Sequence, residues 1–181
     1  LAEAQVEIEV PTGGDRDERL ASVLEVVYAI FNEGYAATSG EDWMRPELCA
    51  DALRLGRILA GLAPREPEVH GLLALMEIQA SRLRTRTGPD GLPVPLMDQN
   101  RARWDRLLIG RGLAALERAQ AGPGAPGPYT IQAAIAACMH QVLERAGLRS
   151  AEVQSVFLTG GSAQIPAIRR LFVEEFGAER L

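Results

Sequence analysis

Residues 127–147 read GPYTIQAAIAACMHQVLERAG, and two different patterns of the chain meet inside them. Ile131, Ala134, Ile135, Cys138, Met139, Val142 and Leu143 fall at the spacing of one helix face, with Pro128 ahead of the first turn and Gly147 behind the last. The spacing predicts one helix over 129–147. Everything before it repeats the same helical theme, whereas the residues after it read as a short strand, a glycine turn and a helix.

Working back from that helix, AGPGAPGP (121–128) is a linker, and the helix before it carries Trp104, Leu107, Leu108, Leu113 and Leu116, with Asp98 as the expected cap. GPDGLPVPL (88–96) has too many prolines and glycines to continue a helix. Another helix is expected from Pro67, burying Val69, Leu72, Leu73, Met76, Ala80 and Leu83 along one face. Glu66 and Glu68 suit its N-terminus, and Arg82, Arg84 and Arg86 form a basic last turn. Pro46 opens a helix whose face is Leu48, Ala52, Leu55, Leu59 and Leu62. The first helix runs from Asp15 along Leu20, Val23, Leu24, Val27, Tyr28 and Phe31, and stops at Asn32-Glu33-Gly34, where Gly34 supplies a left-handed residue. Residues 1–14 form an extended lead-in.

The expected fold is therefore mainly α, an antiparallel helical hairpin array of tetratricopeptide-like character over 15–138, with a C-terminal β-turn-α unit over 139–181 that shares the helix 129–147. In that unit Val153, Val156, Phe157 and Leu158 form the strand, and Gly160, Gly161 and Ser162 the turn. A single strand has no sheet to join within this chain.

Composition narrows the chemistry. The 181 residues carry a formal charge of -5, and residues 1–140 hold 19 acidic against 14 basic side chains. All 19 basic residues are arginine, which excludes a phosphate-loop lysine and a Schiff-base lysine from this segment. No apolar run approaches the ~20 residues of a membrane span. The start LAEAQVEIEV has neither an initiator methionine nor a basic leader, so Leu1 is expected to be an internal start in a longer protein. Cys49 and Cys138 are expected as small buried hydrophobes in a reducing cytoplasm, and with His70 and His140 they make no metal-ligand spacing.

Several blocks occur in a specific order: Phe31-Asn32-Glu33-Gly34-Tyr35, Leu48 to Leu55, Pro67-Glu68-Val69 with Gly71 to Met76, Asp98-Gln99-Asn100-Arg101 with Trp104-Asp105, and Gly127 to Ala136. In these blocks the chain, over about residues 5–138, resembles the C-terminal helical extension of bacterial extracytoplasmic-function RNA polymerase sigma factors. Where that family usually has Asp, this chain has Asn100. From Met139 onward it resembles instead a fragment of the nucleotide-binding domain of DnaK-like heat-shock chaperones, through Val156 to Ser162, Ile165 to Arg169 and Phe176-Gly177.

The first resemblance implies a non-catalytic regulatory and protein-interaction domain acting in transcription initiation. Its partners would be RNA polymerase and the sigma regions of the parent protein, with no DNA contact and no membrane contact by this segment. The second implies an alternative, ATP with magnesium held near Gly160, Gly161 and Ser162, although the aspartate-bearing phosphate loops of such ATPases are absent from the chain. Candidate partner-binding residues are Asn32, Glu33, Arg54, Asp98, Arg101, Trp104, Asp105, Tyr129 and Gln132. Architectural readings stand beside them: Glu33 or Asn32 as a cap, Arg54 and Arg57 pairing with carboxylates across the stack with Glu33 a candidate, Asp98 as N-cap, Trp104 as core anchor, and Tyr129 and Gln132 in capping. No catalytic residue is expected.

Overall fold

The computed structural model describes residues 13–38, 43–146, 155–156, 169–170, 172–174 and 177–181. Among the described residues five α-helices have both ends defined: α1 (Gly14–Tyr35), α2 (Pro46–Leu62), α3 (Pro67–Ala80), α4 (Arg106–Gln120) and α5 (Pro128–Ala146). The fold is a mainly α helical hairpin array, as the periodicity predicts. Proline stands at the first position of α2, α3 and α5, where its missing N–H costs nothing and its fixed φ suits the helix.

The organising element is α3. It packs on all four other helices, and Val69, Leu72, Leu73, Ala74, Leu75, Met76, Ile78 and Ala80 are all buried. Its burial is not confined to the one face expected, because a helix that is apolar around its whole circumference gains most where neighbours cover every side. α1 and α2 form an antiparallel hairpin against one side of it, and α4 and α5 cover the other. The α3/α4 pair is antiparallel too: Asp105 donates its N–H to Ser81 at one end, and Gly122 lies beside Pro67 at the other.

Two glycines set how closely these helices approach. Gly34 does not terminate α1 in a left-handed conformation, since the helix continues to Tyr35. A Cβ there would lie 2.6 Å from the Cys49 nitrogen and 2.8 Å from the Arg45 oxygen, so glycine lets α1 touch the start of α2. Gly71 does the same for α3 against α5, where a Cβ would stand 2.7 Å from the Thr130 nitrogen.

This close packing changes which residues are inside. On α5 the buried stripe is Thr130, Ala133 and Ala137, while Ile131 and Cys138, expected inside, are exposed. Small side chains win there because the helix axes are drawn together. On α2 the buried residues are Cys49, Ala52, Leu53 and Gly56. Leu55 and Leu59 are half-buried, and Leu62 is 77% exposed. Val23 of α1 is likewise exposed.

Between α3 and α4 the chain makes short 3-10 turns at Leu83–Thr85, Leu96–Asp98 and Arg101–Arg103. Arg82, Arg84 and Arg86 lie beyond the end of α3, in this connection, and not in its last helical turn. Gly91, with φ at 79°, turns the proline-rich segment. No helix among the described residues is long and apolar enough to cross a membrane. Of the expected strand only Val156 is described. It belongs to no strand, and its N–H donates to the Arg180 carbonyl at 2.7 Å. The turn at Gly160, Gly161 and Ser162 lies outside the described residues.

Candidate functional site

The residue blocks singled out by sequence come together at three joints around α3. At the first, Phe31 is fully buried and Tyr35 stacks on it, with ring centroids 5.6 Å apart. Glu33 turns outward and organises the loop into α2: its carboxylate accepts the Thr38 N–H at 3.1 Å and hydroxyl at 2.8 Å, and lies 3.2 Å from Arg45. The Thr38 hydrogen bonds hold the Glu33 carboxyl below the usual carboxylate range, with Arg45 acting in the same direction.

Arg54 therefore does not pair with Glu33. It lies exposed on α2, one turn from Asp51 at 3.4 Å, because its side of the helix faces away from α1. The arginine that reaches across the stack is Arg57, 2.9 Å from Glu77, a carboxylate only 2% exposed on α3. Asn32 is exposed, and its side chain is hydrogen-bonded with Tyr28.

A cation missed by sequence completes this joint. Arg86 sits with its guanidinium 3.5 Å from the centre of the Tyr35 ring and 5.1 Å from that of Trp43, and it donates to the Tyr35 carbonyl. Burial pushes Arg86 below the ordinary arginine value. Cys49 lies beneath, its thiol directed at the Phe31 carbonyl at 3.5 Å and pushed up by burial to about 11. Arg82 and Arg86 each lie over aromatics distant in sequence, Trp104 for the one and Tyr35 with Trp43 for the other, and the spacing of Arg86 from Tyr35 gives no sign of that.

The second joint is a clasp between α3 and α5. Glu68 accepts the N–H groups of Tyr129 at 2.8 Å and Thr130 at 3.1 Å, and the Thr130 hydroxyl at 2.5 Å. The expectation that Glu68 serves the start of its own helix is thus incomplete, for it supplies the acceptor that α5 lacks at its own N-terminus. Tyr129 packs edge to face on Tyr28 at 5.4 Å, and Gln132 lies 3.4 Å from the Tyr28 hydroxyl. Burial raises the phenols of both tyrosines.

At the third joint Asp105, not Asp98, caps α4. Its carboxylate accepts the Leu107 and Leu108 N–H groups at 3.0 and 3.1 Å. Asp98 is exposed at the end of a 3-10 turn, and Asn100 caps the next turn through the Ala102 N–H at 3.0 Å. Asp98 sits too early because the chain makes one further tight turn, Arg101–Arg103, before α4. Trp104 is buried as expected, although it precedes α4, with the guanidinium groups of Arg82 and Arg101 at 5.9 and 5.7 Å from its ring.

Of the candidate residues, then, Glu33, Asp105 and Tyr129 work at helix ends, Trp104 is buried beside Arg101 in the connection before α4, Gln132 reaches Tyr28, and Asn32, Arg54 and Asp98 face solvent. The structure does not gather them into one site. Among the described residues no group of three or more histidine, cysteine, aspartate or glutamate side chains is placed to hold a metal ion.

A protein of Rhizobium meliloti (strain 1021), described as uncharacterized, is 46% identical over 145 residues. The match covers 80% of this chain and 34% of the relative, so the chain spans about a third of that protein's length. No solved structure matches the chain. A family model described as a family of unknown function, DUF6596, matches residues 19–120, more than half of the chain, and the protein belongs to that family.

Proposed function

We propose that this chain is a non-catalytic regulatory and protein-interaction domain of a bacterial extracytoplasmic-function sigma factor. It would work in the cytoplasm, in transcription initiation, beside DNA-binding regions outside these residues. Its partners are RNA polymerase and those sigma regions.

One observation carries the reading. The residue blocks that resemble the sigma-factor extension are the ones that meet at the joints of the array. Phe31 to Tyr35 closes on Leu48 to Leu55 at Gly34 and Cys49, and Pro67 to Met76 closes on Gly127 to Ala136 at Glu68 and Gly71. Blocks far apart in sequence that serve one another's geometry support inheritance of a single scaffold, as the resemblance implies. The relative's greater length fits a module set within a larger protein.

The test is transcription in vitro from a cognate promoter, comparing the parent sigma factor with a form lacking residues 15–138. The expected result is altered promoter output or weakened association with core polymerase. Equal output and equal association would overturn the reading.

A further inference from the structure

A cavity of about 450 Å³ opens where the first turns of α1, the end of α2 and the loop into α3 meet. Its floor is apolar and includes Leu20, Val23 and Leu62, of which Val23 is 42% and Leu62 77% exposed. Its rim holds three arginines, Arg16, Arg19 and Arg65, against one carboxylate, Glu66. Glu66 is already engaged by Arg16. Among the described residues Arg19 and Arg65 form no ion pair, so two arginines of the rim stand open beside an exposed apolar floor.

We infer that this cavity is the docking site for an acidic segment of a partner protein, one that places a large apolar side chain between Val23 and Leu62 and its flanking carboxylates on Arg19 and Arg65. The inference rests on the interaction-module reading and names the surface that module uses. Each half of the cavity contributes a different part of recognition. The apolar floor supplies the surface removed from water, and the guanidinium forks fit carboxylates in a planar, bidentate manner that excludes basic segments. A nucleic-acid backbone fits less well, since two rim arginines neutralise few phosphates and an apolar floor gains nothing from them.

Binding is measured by fluorescence anisotropy on the full chain. The probes are a short fluorescein-labelled peptide of leucines flanked by glutamates, its counterpart with lysines, and a labelled single-stranded oligonucleotide. The acidic peptide is expected to bind saturably, more weakly as salt rises. Arg19→Glu with Arg65→Glu should weaken it at least about tenfold, ~1.4 kcal/mol. Leu62→Glu should weaken it as well, and Arg103→Glu at the far end of the array should leave it unchanged. All these side chains are exposed, and circular dichroism checks that each variant keeps its helices.

Equal or tighter binding of the lysine peptide or the oligonucleotide overturns the inference, as does acidic-peptide binding indifferent to the rim and floor variants. If it is overturned while loss of residues 15–138 still alters transcription, the module reading stands and another surface serves it. If the rim governs peptide binding but that deletion changes nothing, the inference holds and the sigma-factor reading falls.

Discussion

The Glu68 carboxylate receives the hydroxyl of Thr130 at 2.5 Å and its main-chain N–H at 3.1 Å, so the first turn of α5 is capped by a residue of α3 sixty-two positions earlier. A third bond comes from the Tyr129 N–H. Bonds from N–H groups to an ionised acceptor contribute about 1.5–3 kcal/mol net, more than a neutral pair. Glu68→Ala should therefore lower stability by about 2–3 kcal/mol in urea unfolding followed by circular dichroism, and Glu68→Gln by less, since the amide keeps one acceptor. An unchanged midpoint for the alanine variant would mean that the clasp contributes nothing.

Gly71 tests the same joint with the sign of local propensity reversed. In a helix interior, alanine is favoured over glycine by about 1 kcal/mol. Here the added Cβ would meet Thr130 main-chain atoms at 2.7 and 2.9 Å, and backbone cannot rotate away. Overpacking of this kind costs about 1–3 kcal/mol. Gly71→Ala is expected to destabilise the protein, whereas Gly110→Ala, on α4 with open space around the new methyl, should be neutral or stabilising.

The Arg57–Glu77 pair separates breaking an ion pair from replacing it. Glu77 is 2% exposed, and one of its oxygens already has no hydrogen-bond partner among the described residues. Removing Arg57 strands the charge, so Arg57→Ala should cost about 3 kcal/mol. The double variant Arg57→Met with Glu77→Met should recover most of that loss, because an apolar pair of similar volume carries no desolvation penalty. Equal losses in the single and double variants would show that the pair's packing matters, not its charge.

These joints also mark where the sequence stops being informative. Helix starts at Pro46, Pro67 and Pro128 are legible because proline acts within its own turn. The inside of each helix is less so. Periodicity places Ile131 and Leu62 inside because they are large, but α5 is packed through Ala133 and Ala137, and Leu62 at the end of α2 is left exposed. Site chemistry is least legible. Glu33 could be recognised as a capping residue, yet nothing local shows that it selects Arg45, or that Arg86 will cross fifty-one positions to Tyr35. The charged cavity assembles residues 16–23 and 62–66, and no motif spans that gap.

Glu33 gives a pH dependence with a defined sign. Its carboxyl is held below the ordinary value by Thr38 and Arg45, so the ionised form is preferred in the folded state. The resulting stability is fully present above the unfolded value of about 4.3 and is lost as pH falls through the lower folded value. The melting temperature of Glu33→Gln should lie below that of the unaltered protein at neutral pH, and the gap should close on acidification. A gap that is constant with pH would remove the charge from the explanation.

The two cysteines should differ sharply toward an alkylating reagent. Both are free thiols. Cys138 is exposed, but Cys49 is fully buried, with its thiol pushed up by loss of solvent to about 11. Only the thiolate is a good nucleophile, and the reagent must also be able to reach the sulfur. Iodoacetamide at pH 8 should modify Cys138 promptly and leave Cys49 intact until urea unfolds the array, as read by mass spectrometry of the peptides. Arg86 opposes the rise at Cys49, so removing it with Arg86→Met should not speed native-state modification unless the joint itself opens. Prompt labelling of Cys49 in the unaltered protein would contradict the packing of α1 on α2 at Gly34.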